Sequence, residues 1–356
     1  MAVRILHIDS GRDWRGGQRQ VLLLAEGLRD AGFEPLVVGQ AEAPLVNRLR
    51  ARGLAAAAVP MRSEWDLAAA RRIRELVRTW APDIVHAHDA RAHALALAAL
   101  VRRRETPLVV TRRVAFVPRA GRVKYGPRVT RFIAISAAVR EAMVRGGVDP
   151  ARIDVVYSGV PSPHAETPRD WRKAFGWPED SVICGIVGAM TAEKGVALLE
   201  RVMRTLSPPA RRAARVVLLG GTSAGRTTIG NVPACRAGFV DDIHDAMAGL
   251  DVLLHPSRAE GLGTAVIDAM ALGVPPVAFA VGGLPELIEH GRNGLLVPAG
   301  DVSAFATAAS QLITNPVLRE TLAAAGPPRA AMFGVQQMVD GVERVYASLL
   351  HVKAAH

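Results

Sequence analysis

The stretch Asp251-Val252-Leu253-Leu254-His255-Pro256-Ser257-Arg258-Ala259-Glu260-Gly261-Leu262-Gly263-Thr264-Ala265-Val266-Ile267-Asp268-Ala269-Met270-Ala271 decides the fold. Its first four residues are a short apolar run of the kind that fills a buried parallel strand. From Thr264 to Leu272 helix formers follow one another without a breaker. The loop between them carries Gly261 and Gly263. Strand, glycine-bearing loop and helix, in that order, leave free backbone amides at a helix start beyond the carboxyl end of a sheet. With the helix dipole behind them, such amides attract phosphate.

Two carboxylates bracket the loop. Glu260 stands where the strand has ended, and Asp268 falls about one turn into the helix, at ~3.6 residues per turn. A diphosphate on the amides would have an acid on either side. Carboxylates repel phosphate and accept from hydroxyls. A nucleotide sugar carries hydroxyls on both sides of a diphosphate and fits that pattern.

Working outward, the same strand, loop and helix unit recurs. Ser181 to Val187 reads as a buried strand, followed by Gly188-Ala189-Met190-Thr191-Ala192-Glu193-Lys194-Gly195 and a helix through Met203. Lysine occurs only at 124, 173, 194 and 353, so Lys194 after a buried strand stands out. Near the N-terminus, Val3 to Ile8 is a strand, Ser10 to Gln18 a polar loop with Gly16 and Gly17, and Arg19 to Ala31 a helix stopped by Gly32. The loop is not Gly-x-Gly-x-x-Gly, so a dinucleotide fingerprint is not supported. Ile84 to His88 is a strand ending in two alternate histidines. They lack a third ligand of zinc spacing, so both read as site residues, His88 the more exposed. Pro107 to Thr111 is a strand running into Arg112 and Arg113, whose forked donors suit a phosphate or a carboxylate. Thr222 to Val232 is polar and glycine-bearing and reads as a loop. Three prolines in Pro161 to Pro168 mark a linker.

Composition narrows the class. The 356 residues suffice for two domains; half are hydrophobic and only 4% aromatic. No run of eighteen apolar residues appears, so no membrane-spanning helix is expected. The N-terminus enters a strand at once and lacks the apolar core of a signal peptide, which sets the expectation of cytoplasmic residence. Two cysteines, Cys184 and Cys235, make no disulfide framework and have no metal-ligand spacing. The net charge is +11. Arg112, Arg113, Arg119, Arg122, Lys124, Arg128 and Arg131 crowd one segment, interleaved with Val114, Phe116, Val117 and Tyr125. That segment suits anionic partners, a membrane surface among them, and no nucleic acid is expected.

The opening stretch, with Gly282-Gly283-Leu284-Pro285-Glu286-Leu287-Ile288 and Gly291-Arg292-Asn293-Gly294-Leu295-Leu296-Val297 behind it, resembles the retaining glycosyltransferases of the GT4 type. The family pattern is Glu, seven residues, Glu; Asp268 holds the second place here. The resemblance spans nearly the whole chain and is densest from Val182 to Asp301. It implies an α/β chain with the GT-B fold, two Rossmann-like doubly wound domains facing across a cleft. The expected domains are 1–165 on the acceptor side and 166–335 for the nucleotide sugar, with 336–356 a helix crossing back.

The resemblance also implies roles. The donor would be held by Gly16, Gly17, Gly188, Lys194, Gly238 and Phe239, and by Glu260, Gly261, Leu262, Gly263, Thr264 and Asp268. Catalysis would rest on Glu260, Lys194 and Arg113, and the acceptor would meet His88, Arg112 and Arg113. The family has an arginine where Ala189 stands, so one cation for the diphosphate is missing. Asp241-Asp242 could suggest a metal, but transferases of this type need none; Asp242 reads as a helix cap. No cofactor is implied. The expected donor is a UDP-sugar, next a GDP-sugar, and the acceptor a lipopolysaccharide, cell-envelope or lipid-linked glycan. The expected activity is retaining hexosyl transfer, peripheral at the inner face of the cytoplasmic membrane. A nucleotide-sugar epimerase and a non-catalytic nucleotide-sugar-binding protein are the alternatives.

Overall fold

The computed structural model describes residues 2–103, 105–117, 124–163 and 165–354. Arg119 and Arg122 of the basic segment lie outside the described residues. The chain divides into two units, residues 2–159 with the helix Val335–Ala354, and residues 160–334. The change of unit precedes Pro161 to Pro168, so that proline-rich stretch belongs with the second unit.

The first unit is built on a parallel sheet of seven strands. They are β1 (Arg4–Asp9), β2 (Glu34–Gln40), β3 (Ala55–Val59), β4 (Ile84–Ala87), β5 (Leu108–Arg112), β6 (Arg131–Ala134) and β7 (Ile153–Val155). Their order is β3-β2-β1-β4-β5-β6-β7. Helices cover the sheet, so β1 and β4 are buried along nearly their whole length, with the polar His7, Asp9 and His86 included. The chain winds outward from β1 to β3 and then returns to place β4 beside β1. That reversal opens a crevice at the carboxyl ends of β1 and β4, where doubly wound sheets bind ligands. The helix Val335–Ala354 packs Met338, Val339, Val342, Val345 and Tyr346 against Ile5, Leu28, Ile84 and Val109. Gly27 permits that packing, because a Cβ there would lie 2.3 Å from Val339 Cγ2.

The second unit repeats the design with six strands. They are β8 (Val182–Val187), β9 (Ala214–Ile229), β10 (Val232–Gly238), β11 (Val252–His255), β12 (Pro276–Phe279) and β13 (Leu295–Val297). Their order is β10-β9-β8-β11-β12-β13, with the reversal between β8 and β11. Phe279, Phe305, Leu199, Val216 and Leu254 are among the side chains of its core.

Thr222 to Val232 is not a loop. β9 runs on through Ile229 and turns back as β10, pairing antiparallel with Ile229 opposite Val232. Gly230 and Asn231 make the turn, with φ of 55° and 68°. Two successive positive φ values match the right-handed twist of a hairpin, and glycine and asparagine are the residues that adopt them readily. The outer half of this ribbon is mostly exposed. It therefore lacks the apolar run that marks the buried strands. The helix Pro316–Ala330 was also hidden in the sequence, since it carries Pro327 and Pro328 near its end.

Candidate active site

In the second unit the opening stretch forms the junction its residues imply. β11 ends at His255, and the helix Thr264–Ala271 begins after Gly263. Gly263 has φ 103°, and a Cβ there would lie 2.6 Å from Leu284 Cδ2, so the helix start requires glycine. Its neighbour across the reversal is the loop after β8. There Gly188 has φ 133°, and Ala192–Lys194 forms a 3₁₀ turn before the helix Val196–Thr205. The backbone N–H of Arg258 donates to the Glu193 carbonyl at 2.8 Å, tying the two loops together.

Lys194 and Glu260 meet at this tie. The Lys194 ammonium is ion-paired with Glu260 Oε1. The same oxygen receives His255 Nε2 at 2.9 Å and the Ser257 hydroxyl at 3.1 Å. Burial by itself would raise the carboxyl's pKa. The hydrogen bond and charge of His255, with the charge of Lys194, overcome that and hold it down at about 2. Glu260 is thus a fixed anion whose Oε1 is committed, leaving Oε2 to accept from a ligand. Lys194, 28% exposed along its side chain, stays within reach of one. Gly282 (φ 54°) crosses directly over this loop; a Cβ there would fall 1.7 Å from the Glu260 carbonyl oxygen.

Asp268 is buried in the helix Thr264–Ala271, with His244 Nε2 3.5 Å from its Oδ1. It is not a solvent-face residue. Gly238 ends β10 with φ 69°, and Phe239 beyond it is exposed. Asp242 stands at the N-cap of Ile243–Ala248 as expected, yet its side chain makes no cap bond.

The first unit's crevice holds the remaining candidates. Gly16 and Gly17 open the helix Gly16–Asp30, whose N-cap residue Arg15 makes no side-chain cap bond. Asp89 caps the helix Ala90–Ala99 and also receives the N–H and hydroxyl of Ser10, each at 2.6 Å. Asp9 is buried beneath Gln18 and Gly11; burial, then the nearby Asp89, raises its pKa.

His88 is buried, not exposed as its place at a strand end suggested. The reason is a third histidine. His7 on β1 pairs in register with His86 on β4, and its Nδ1 lies 2.9 Å from His88 Nε2. His86 is held by the Tyr346 hydroxyl at 2.6 Å and the Thr111 hydroxyl at 2.7 Å. Burial lowers the pKa of all three, that of His7 to about 3, so they are neutral at physiological pH. One ring nitrogen of each lies within 4.8 Å of the others, the spacing of a possible cation site. Both nitrogens of His86 are already bonded, however, and the Arg113 guanidinium, 3.4 Å from His88 Nδ1, opposes a second positive charge. The set reads instead as a chain of hydrogen bonds. Arg113 can only donate, so His88 Nδ1 accepts and its Nε2 carries the proton given to His7.

Burial pushes the Arg113 pKa down to about 10, against the pull of Asp9 and Asp89, and leaves it charged at neutral pH. Its Nε is buried without a hydrogen-bond partner. Arg112 donates through its guanidinium to the Tyr125 hydroxyl at 2.8 Å and the Phe116 carbonyl at 2.9 Å, and so holds a loop.

Within each unit the structure gathers the expected residues at a sheet reversal, Gly16, Gly17, His88 and Arg113 in one and Gly188, Lys194 and Glu260 in the other. Sequence reasoning missed His255 and Ser257, which fix Glu260, and His7, which fixes His88. The first two lie in the opening stretch itself, at five and three residues before the glutamate they bind.

Residues 14–162 match the family described as Glycosyltransferase Family 4, and residues 181–315 match Glycosyl transferases group 1. A 2-deoxystreptamine N-acetyl-D-glucosaminyltransferase of Streptomyces fradiae is 30% identical over 387 residues, covering 92% of this chain and 89% of that protein. The chain belongs to the family 4 glycosyltransferases. A D-inositol 3-phosphate glycosyltransferase of Kribbella flavida is 31% identical over 236 residues, 59% of this chain and 54% of that one. Among solved structures, Anabaena HepE in complex with UDP and glucose superposes with a TM-score of 0.83 at 20% identity, covering 97% of this chain and all of that one. Sucrose-phosphate synthase of Thermosynechococcus elongatus superposes at 0.79 and 20% identity, covering 98% and 100%. At those identities the structural likeness of this glycosyltransferase speaks for its fold, two Rossmann-like units.

Proposed function

We propose that this glycosyltransferase moves a hexosyl group from a nucleoside-diphosphate sugar to a hydroxyl of a glycan or lipid-linked acceptor, with retention at the anomeric carbon. The pairing of Lys194 with Glu260 at the reversal of the second sheet carries the reading. Lys194 turns from Glu260 to the diphosphate and neutralises the charge that grows as it leaves. Glu260 Oε2 accepts from a hydroxyl of the donor sugar, and the Gly261 to Thr264 backbone lines the phosphates. Asp268 takes the ribose hydroxyls, directly or through a water.

In the transfer the anomeric C–O bond to the phosphate breaks and a bond to the acceptor oxygen forms on the same face. The acceptor proton passes to the departing phosphate oxygen. No protein nucleophile is required, and a glycosidase pair of carboxylates flanking one sugar at ~5–5.5 Å is a poorer account of Glu260 and Asp268. Arg113, charged and with a buried donor unbonded, receives an oxyanion of the acceptor. UDP is the favoured base, supported by the UDP in the Anabaena HepE complex.

Thermal stabilisation across UDP- and GDP-sugars tests the donor, because stabilisation grows as RT ln(1 + [L]/Kd). UDP-sugars should raise the unfolding temperature of the wild type and fail to do so for Lys194→Ala. Anomeric proton couplings in the product test retention. A donor panel that stabilises Lys194→Ala as well as wild type overturns the assignment.

A further inference from the structure

The donor reading gives Asp268 a task and leaves the side chain next to it without one. Asp268 lies on the helix Thr264–Ala271 with its side chain 6% exposed, and His244 on the helix Ile243–Ala248 brings Nε2 to 3.5 Å from Asp268 Oδ1. That is the far end of hydrogen-bond range for a ring N–H, and inside ion-pair range once the ring is protonated. His244 keeps 20% of its side chain exposed, whereas the carboxylate is nearly covered.

Both helices are held in place. The buried Trp171 indole donates to the Ala246 carbonyl at 2.9 Å, and the Arg169 N–H donates to the Asp245 carbonyl at 2.9 Å. The Thr167 N–H reaches Asp245 Oδ1 at 3.2 Å. On the other helix Ile267, Ala269 and Met270, the neighbours of Asp268, are fully buried. Two braced elements therefore present an imidazole to a carboxylate, as a fixed recognition group requires. The last torsion of aspartate is broad and two-fold, so the side chain alone does not decide which oxygen faces a ligand. A donor on Oδ1 decides it and turns Oδ2 the other way. Aspartate is also one methylene shorter than the glutamate of the family pattern, so it has less chain with which to correct a misplaced oxygen.

We propose that His244 is a positioning residue for nucleotide recognition: its Nε2–H steadies Asp268 Oδ1 and aims Oδ2 at the ribose hydroxyls. The inference rests on the reading of Asp268 as the acceptor of those hydroxyls and adds the group that fixes it. The role needs a hydrogen on Nε2, which the Nε2 tautomer and the protonated ring both carry. A histidine that only filled space at this place would matter equally to every nucleotide. A positioning residue matters only to a nucleotide that has ribose hydroxyls to be held.

The test is calorimetric titration of the full chain with UDP and with 2′,3′-dideoxy-UDP, which lacks both hydroxyls. The wild type should bind UDP at least about tenfold more tightly. His244→Phe keeps a ring and removes the donor. It should cut that preference to about threefold or less, while its affinity for dideoxy-UDP stays within about twofold of wild type. His244→Ala, the second variant without a donor, should show the same pattern. His244→Gln, whose amide returns a donor, should regain most of the preference. Asp268→Ala should abolish the preference, and adding His244→Phe to it should change nothing more, the mark of two residues acting as one. Preference kept in both His244→Phe and His244→Ala but lost in Asp268→Ala overturns the positioning role and leaves Asp268 on the ribose. Equal loss for both nucleotides in those His244 variants, or no recovery in His244→Gln, overturns it as well, because packing alone would account for either. A wild type that binds the two nucleotides alike, or an Asp268→Ala that still prefers UDP, overturns the ribose reading and the positioning with it.

Discussion

Replacing Glu260 by Gln removes a charge while keeping the side chain's shape. In the wild type the carboxyl's pKa is held at about 2 against an ordinary 4.5. At 1.36 kcal/mol per pKa unit, that difference corresponds to ~3 kcal/mol of folding free energy. Glu260 is only 11% exposed, so solvent screening removes little of it. The folded-state pKa is depressed, so the contribution is complete above 4.5. It fades as pH falls toward 2, once the unfolded chain binds a proton that the folded chain still refuses. Urea unfolding followed by tryptophan fluorescence should therefore find Glu260→Gln less stable by ~2–3 kcal/mol at pH 7, with the gap narrowing steadily below pH 4.5. The same change frees Lys194 from its partner. UDP should bind the variant at least as tightly as wild type, while kcat/KM for transfer falls by about 100-fold or more, because the sugar hydroxyl has lost its acceptor. A stability gap below ~0.5 kcal/mol at pH 7, or one that does not change with pH, would refute the account of Glu260 as an anion locked by His255 and Lys194.

Lys194→Ala should lower kcat/KM by ~2–4 kcal/mol in transition-state terms and abolish stabilisation by UDP, as read by steady-state kinetics and thermal shift. Gly282→Ala should destabilise the second unit by at least ~2 kcal/mol, since it adds a Cβ 1.7 Å from the Glu260 carbonyl oxygen at a φ of 54°; denaturant titration checks it. Tyr346→Phe should cost ~1–3 kcal/mol by leaving the buried His86 Nδ1 without its partner, and the loss should show in the first unit's amide-exchange protection. Arg113→Gln should raise KM for an anionic acceptor by about tenfold or more and leave UDP affinity unchanged; equal effects on both would move Arg113 to the donor.

The amino-acid order alone determined the alternation of buried strand, glycine loop and helix. Parallel strands covered on both faces bury nearly every side chain, as β1, β4, β8 and β11 do, and the turns ahead of the helices need glycines such as Gly188 and Gly263 for their positive φ. Those requirements are local and leave marks at fixed spacing. Glu260, Lys194 and the glycines around them were legible for that reason. Contacts between distant segments leave no such mark. Only the tertiary structure set His7 beside His88, which left a histidine expected to be exposed buried and neutral. It also fixed which strands the returning helix Val335–Ala354 covers, β1 and β4, and it set Arg112 against the Tyr125 hydroxyl and the Phe116 carbonyl. The β9–β10 ribbon lay between these cases: its Gly230-Asn231 turn is a local signal, but its outer half faces solvent and shows no buried run. The depressed pKa of Glu260 rests first on His255, five residues before it, and then on Lys194, sixty-six residues away in the chain. Electrostatics act through space, and only folding brings those two charges together.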